Sequence, residues 1–526
     1  MSQTAKRVES IRSELAIAKQ AVADTARLLK GKARPWYEAG GLELVDEPAI
    51  QLEAGRVAVD LATAEAALAA ARHDDAATGA LDAARGLAGE AGLRAASHLF
   101  EAAGATAAAD PADYGRHWRA VRASTIEDPI APAFMAAGEA FLSDPGDDAD
   151  GGPAHARSAE DLASRLRPDA RARDELGTYP AEALQAYAAS GLLSVSVPKT
   201  YGGQGVSFAQ ALDVSRRLAK ADGSIGQIST IHYSMVELLA RVGTEAQKAR
   251  WLPAVVAGGR LGNAGAERGV RHAKITATRL EASGAGCYSL SGRKYYSTGF
   301  PGAAMNIVLA SNANDRLVSV LVPADASGVR VVDDWRALGQ RTTGSGSVIL
   351  DAVPVAEADV LPRWFNVERP TTATAAANLA HVALDLGIAR GALESVAPLL
   401  EGRRPGVHVL EAIGRLAARL LAGETLFQDA AERLDALAGE ELTEEIVRGY
   451  SLQVSIVKAQ AADLAVDAGE KIFDIVGAAA LDPRLGLDRF WRDARTHSLH
   501  DPTRWRLMRI GEHLLTGRLP PRNRTN

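Results

Sequence analysis

The 526-residue sequence holds a single cysteine, Cys287. One thiol excludes an internal disulfide framework and fits a reducing compartment. No apolar run approaches the roughly 18 residues of a membrane-spanning helix. The opening residues, MSQTAKRVESIRSELAIAKQ, lack the apolar core of a signal peptide. A soluble, cytoplasmic protein with no membrane partner is expected. A basic excess is also missing: 59 Lys and Arg face 65 Asp and Glu, for a net charge of −6. That balance argues against a nucleic-acid partner. No phosphate-binding P-loop or dinucleotide fingerprint is present, and no metal is expected.

What is present is a 47% hydrophobic chain too long for one core. Residues 1–141 are rich in Ala, Leu, Glu and Arg. Their pattern predicts four long helices near 11–29, 48–73, 76–104 and 118–142, hence a bundle. Residues 142–153 are acidic and rich in Gly and Pro, which reads as a linker. Residues 154–260 are again mostly helical, and His232 there is a lone histidine among apolar residues. By itself it reads as a satisfied core residue. Composition shifts at Leu261. Residues 261–361 carry short β-type runs at 274–282, 287–290, 305–310, 317–322 and 347–350. Polar turns at 262–265, 296–299 and 338–346 separate them. Residues 362–526 return to helix, at about 373–400, 406–435, 442–476 and 489–516. The fold class is therefore mainly α with a small β-domain.

The stretch 489–502, Arg-Phe-Trp-Arg-Asp-Ala-Arg-Thr-His-Ser-Leu-His-Asp-Pro, concentrates reactive groups. His497 and His500 are three apart and share a face if the helix continues. Asp501-Pro502 reads as a cap and first position of a new helix. On spacing alone this could equally be a surface arginine cluster with two structural histidines. The stretch has an altered copy 373 residues earlier, where Trp118, Arg119, Arg122, Asp128 and Pro129 match Trp491, Arg492, Arg495, Asp501 and Pro502. Ser124 and Glu127 replace the two histidines. Shape-holding residues recur, and residues suited to chemistry occur once, as in a duplicated domain with one retired site.

Helical domain, β-domain and four-helix bundle in that order resemble the acyl-CoA dehydrogenase fold. The motifs that carry the resemblance are Val197-Pro198 with Tyr201-Gly202-Gly203, Gly339-Gln340-Arg341 with Ser345, and Trp491-Arg492-Asp493-Ala494-Arg495. It covers roughly residues 155–526, with an extra bundle in front. Dehydrogenases of this family that carry their catalytic glutamate on the last domain would place it at Asp501. Here the turn is Leu499-His500-Asp501-Pro502, which is similar to the flavin-dependent monooxygenase branch that includes the dibenzothiophene and dimethylsulfone monooxygenases.

That resemblance implies a two-component monooxygenase using reduced FMN, with FAD possible. The flavin would come from a separate reductase, and O2 would react through a C4a-hydroperoxide to oxygenate a small heteroatom-containing or aromatic substrate. It implies catalytic roles for His232, Thr298, His497 and His500, and flavin contacts from Asn263, Ser297 and Trp335. It also implies that Lys30, in the N-terminal copy, reaches a neighbouring subunit's flavin phosphate. A homo-oligomer follows, a dimer rather than a tetramer, because the N-terminal copy would occupy a neighbour's place. The alternatives are an acyl-CoA dehydrogenase with Asp501 as base and a non-catalytic assembly paralogue.

Overall fold

The computed structural model describes residues 3–31, 43–73, 78–109, 112–143, 152–269, 276–361, 368–402 and 404–522. The N-terminal bundle contains α1 (Gln3–Gly31), α2 (Pro48–His73), α3 (Thr78–Ala103), α4 (Gly115–Glu127) and α5 (Ile130–Ser143). Alanine at helical spacing lets these helices approach closely. In α3 the buried face runs Ala80, Ala83, Ala84, Leu87, Ala88, Ala91 and Ala95. The helix expected over 118–142 is two helices, broken at Asp128-Pro129. Proline has no N–H to continue the helical ladder, and Arg85 Nε donates to Asp128 Oδ2 at 2.9 Å.

The middle helical segment contains α6 (Ala154–Leu166), α7 (Phe208–Ala221), α8 (Gly223–Val242) and α9 (Glu245–Val256). The C-terminal bundle contains α10 (Ala373–Glu394), α11 (Val407–Leu437), α12 (Glu444–Val476), α13 (Asp488–Ser498) and α14 (Thr503–Thr516). These two segments share one core, in which Leu212, Leu218 and Ile225 meet Leu379, Leu384 and Leu464.

Between them lies the β-domain, one sheet in the order β6-β7-β3-β2-β4-β5-β8 with β1 added beside β4. Its strands are β1 (Leu261–Ala264), β2 (Arg279–Gly284), β3 (Cys287–Lys294), β4 (Met305–Ser311), β5 (Leu317–Val322), β6 (Val329–Val331), β7 (Val348–Ala356) and β8 (Val360–Leu361). Residues 262–265, expected as a turn, are mostly strand. Gly262 is required in β1 because a Cβ there would collide with the Asn306 side chain. Parallel pairing of Leu261–Ala264 with Met305–Val308 fixes Asn263 opposite Ile307.

The two bundles cross by a reciprocal exchange. α5 lies on α11, and α14 lies on α2. Each crossing is closed by glycine against backbone. A Cβ on Gly138 or Gly414 would overlap the carbonyl of Leu410 or Phe134, and one on Gly55 or Gly511 would overlap that of Leu507 or Gln51. Gly138 and Phe134 map onto Gly511 and Leu507 at an offset of 373, which is also the offset between the first and last residues of α5 and α14. Gly55 and Gln51 map onto Gly414 and Leu410 at 359, the offset between the first residues of α2 and α11. Contacts in which i meets j and the counterpart of j meets the counterpart of i are the signature of a two-fold interface. Here that relation lies within one chain.

Candidate active site at the three-domain junction

The β-domain presents two loops to the helices. Asn263 lies half-buried one residue before the end of β1, and its backbone N–H donates to Thr298 O at 3.3 Å. Thr298 is buried, and its Oγ1 lies 2.8 Å from Ser345 Oγ, which in turn lies 2.7 Å from Thr343 Oγ1. Ser297 is fully buried, with its hydroxyl unpaired among the described residues. Tyr296 adopts φ +59°, a backbone form that L-residues seldom take and that turns this segment sharply. Trp335 is half-buried. Its Nε1–H donates to Gln340 O at 2.9 Å, and its ring packs against those of Tyr295 and Tyr296, 6.1 Å from each.

The 338–346 loop then locks onto α13. The Gly339 N–H donates to Thr496 Oγ1 at 2.8 Å, and the Gln340 N–H donates to Asp493 Oδ1 at 2.5 Å. Gly339 must lack a Cβ because the Arg492 backbone fills that space. Asp493 also packs against Gly223 at the start of α8. Burial pushes its carboxyl up to about 7, and Asp174 and Asp222 push the same way. Hydrogen bonds thus connect Thr298, Ser345, Thr343, Gln340 and Asp493 from the sheet into the helix that carries His497.

His497 is buried near the C-terminal end of α13. Its Nδ1 is 2.7 Å from Asp385 Oδ1, and its Nε2 is 2.9 Å from His381 Nδ1. His381 and Asp385 sit one turn apart on α10, so both reach the same neighbour. His500 follows α13 and packs on His381, with ring centroids 4.6 Å apart. His500 is an exposed residue, yet protein atoms crowd around it. That crowding, with the Lys458 charge next, lowers its imidazole to about 3. Burial first, and then His500 and Lys458, hold His381 well below the ordinary histidine range. Both rings are therefore neutral at pH 7. The pair at 497 and 500 was legible from its spacing, whereas His381 and Asp385 were not singled out by the sequence.

Asp501 was expected to cap the next helix. Instead its carboxylate is held by Lys458 Nζ at 3.3 Å and by Arg506, and α14 begins only at Thr503. Burial alone would raise Asp501, but the charges of Lys458 and Arg506 bring it below the usual carboxylate range. A carboxylate stabilised by two cations is a poor base. Lys458 is itself pushed down to about 8 by burial and by Arg506. The N-terminal bundle repeats this staple at the same offset of 373, with Arg85 on Asp128 standing for Lys458 on Asp501. Glu14 bonds Arg85 as Asn378 bonds Lys458.

Two expected site residues lie elsewhere. His232 is completely buried and both ring nitrogens are occupied: Nε2–H donates to Leu193 O at 2.8 Å, and Nδ1 accepts from the Leu261 N–H at 3.0 Å. It fastens α8 to the start of β1 and has no atom left for substrate. Lys30 is exposed at the end of α1, where Leu28 and Leu29 pack with Leu44, Leu99 and Leu515. Within one chain it stays outside this cluster. The rest of its motif, Arg34-Pro35-Trp36, lies outside the described residues.

Residues 156–259 match the family model of the acyl-CoA dehydrogenase N-terminal domain, and residues 379–505 match that of the C-terminal domain. Dibenzothiophene monooxygenase of Rhodococcus qingshengii is 32% identical over 391 residues, covering 69% of this chain and 93% of the relative. The probable FMNH2-dependent monooxygenase SfnC of Pseudomonas putida is 30% identical, covering 69% of this chain and 95% of its own. The FMN-bound crystal structure of TdsC from Paenibacillus sp. A11-2 superposes with a TM-score of 0.68 at 30% identity, over 71% of this chain and 100% of TdsC.

Proposed function

Because this chain belongs to the acyl-CoA dehydrogenase family, among the relatives of dibenzothiophene monooxygenase, we propose that it is a two-component flavin-dependent monooxygenase. It takes reduced FMN from a separate reductase and inserts one oxygen atom of O2 into a small sulfur-containing or aromatic molecule. The observation that carries this reading is the cluster of His381, His497 and His500, packed where α13 bonds the β-domain loop through Asp493 and Thr496.

The residues present fit FMN. Ser297 offers a buried hydroxyl that is unpaired among the described residues. Thr298 adds a second hydroxyl and Asn263 an amide. An isoalloxazine edge of alternating N–H and C=O groups calls for such neutral donors and acceptors. Trp335 supplies an indole wall. When bound, reduced FMN supplies the two electrons that turn the second oxygen atom of O2 into water. The chain's own groups orient the ring, exclude water and handle protons. His381 and His500, kept neutral at pH 7, can accept a hydrogen bond or pass a proton on at a ring nitrogen but do not store one there. His232 and His497 act through other groups: His232 by holding β1 in place, His497 by orienting His381.

The test is turnover with 18O2, a generic flavin reductase, FMN and a panel of sulfides, amines and phenols. The expected product carries one labelled oxygen, and formation requires reduced flavin. Turnover of a CoA thioester with an electron acceptor and no label would overturn the reading. The dehydrogenase alternative needs Asp501 as a free base, and Lys458 and Arg506 occupy it. A purely structural paralogue gives no reason for a histidine cluster that the N-terminal copy lacks.

We also propose that residues 1–141 are an altered copy of the C-terminal bundle, joined by 142–153 to the segments 154–260, 261–361 and 362–526. The reciprocal glycine crossings and the repeated Arg85–Asp128 and Lys458–Asp501 staples support this. The copy stands where a second subunit's bundle would stand, so a dimer of this chain replaces a tetramer. Lys30, exposed on that copy, serves a neighbour's FMN phosphate, since Lys458 and Arg506 are already engaged. Lys30→Glu is expected to weaken FMN binding about tenfold, as loss of one charge-assisted phosphate contact would. Unchanged affinity, or a tetrameric mass in solution, would remove the corresponding half.

A further inference from the structure

Asp385, His497 and His381 lie in one line of short hydrogen bonds, 2.7 Å and then 2.9 Å. The donors in that line follow from its buried end. A carboxylate only accepts, so His497 Nδ1 carries a hydrogen and donates to Asp385 Oδ1. Its Nε2 is then a lone pair, and His381 Nδ1–H donates to it. That leaves the lone pair of His381 on Nε2. Among the described residues this atom has no hydrogen-bond partner, and it is not sealed from solvent. His500 stands beside it, in ring contact but outside the line.

We propose that Asp385, His497 and His381 form a proton relay whose working end is His381 Nε2, making His381 a catalytic residue of the monooxygenase reading on which this rests. A proton arriving at His381 Nε2 forms a bond there. The Nδ1–H bond of His381 breaks, and that proton passes to His497 Nε2. The positive charge then rests on His497, against the Asp385 carboxylate. The reverse transfer returns the proton from His381 Nε2 to the group that gave it. No electrons move, and one proton enters for each one released.

The charges around the site favour this order. Lys458 on α12, Arg506 on α14, Asp501 between α13 and α14, and Asn378 on α10 all meet behind His500. The Lys458 charge opposes an imidazolium at His500. Asp385 is buried, with its carboxylate 2.7 Å from His497 Nδ1. A proton taken from substrate or O2 chemistry is thus stored at the buried end of the relay, away from the cation pair. His497 and Asp385 act as positioning residues, and His381 is the partly exposed end of the line.

Asp385→Asn tests this with little change of shape. An amide can turn either its C=O or its N–H to His497 Nδ1, but neither end carries the charge that steadies a proton held on His497. Long-range 1H–15N NMR on the 15N-histidine-labelled full chain with FMN reads the tautomers, with His381 assigned by its absence in His381→Asn. Turnover of whichever panel member the wild type oxygenates reads the consequence. The expected result is a wild-type His381 protonated at Nδ1, and product formation down about 100-fold or more in Asp385→Asn with FMN affinity unchanged. His381→Asn keeps a donor toward His497 but cannot take a proton, and is expected to match that loss. A wild-type His381 protonated at Nε2, or an Asp385→Asn chain that keeps its product formation, overturns the relay. A wild type that shows the tautomers but incorporates no label fails the monooxygenase reading instead.

Discussion

A histidine whose two nitrogens both meet backbone is a fastener, and His232 can be tested as one. Its removal in His232→Ala strands the Leu193 C=O and the Leu261 N–H in a dry interior, for a cost of about 2–4 kcal/mol. Burial holds its imidazole down to about 4. Between pH 6.5 and 4 the unfolded chain therefore takes up a proton that the folded chain refuses. The stability is fully present above pH 6.5 and is lost as pH falls toward 4, on the order of 3 kcal/mol from this residue. Urea unfolding at pH 7, 5.5 and 4.5 should show a steeper acid decline in wild type than in His232→Ala, and parallel declines would contradict it. The sequence displayed His497 and His500 because they share one helix end. It hid His381 and Asp385 because they lie 116 and 112 residues away in a helix apolar almost all round. Only tertiary packing makes them partners.

At the scale of elements, periodicity located most helices within a few residues, and β5 came out with both ends as read, 317–322. The failures share a cause: backbone needs that a local pattern does not display. β1 looked like a turn because Gly262 is there for a close approach, and the helix near 118–142 broke at Pro129. The joint between the 338–346 loop and α13 is equally invisible in sequence, and it rests on Asp493. That carboxyl is pushed up to about 7 against an ordinary 3.8. An acid raised on folding contributes stability below pH 3.8, and that contribution is lost as pH rises through 7. Asp493→Asn keeps an oxygen for the Gln340 N–H and carries no charge. It should therefore gain on wild type between pH 5 and pH 8, while Asp493→Ala, which leaves that N–H unpaired, should cost about 1–3 kcal/mol. Guanidinium melts of the three proteins at both pH values check the order. An Asn variant that loses ground at pH 8 would show that the ionised carboxylate is what the loop requires.

At the scale of the whole molecule, the question is whether the N-terminal bundle is an appendage or half of a single body. Ala418 and Ala422 of α11 belong to the same buried cluster as Ile11, Val57 and Phe134, so the core crosses between the bundles. The crossing of α5 and α11 is closed by Gly138 and Gly414 against each other's backbone. A side chain can turn away from an added methyl group, but a helix carbonyl cannot. Gly138→Ala must therefore push the two helices apart, at a cost of about 1–3 kcal/mol or more. If the bundles form one body, hydrogen exchange will speed up in α11 as well as in α5, while β4 and β5 keep their protection. If the N-terminal bundle is an appendage, exchange will rise in residues 3–143 alone. Gly511→Ala, the matching position at the other crossing, should then loosen α14 and α2 in the same way. The two effects should add, because the crossings share no residue. Equal damage from substitutions 373 positions apart would be hard to obtain except from two bundles built on one plan and docked face to face.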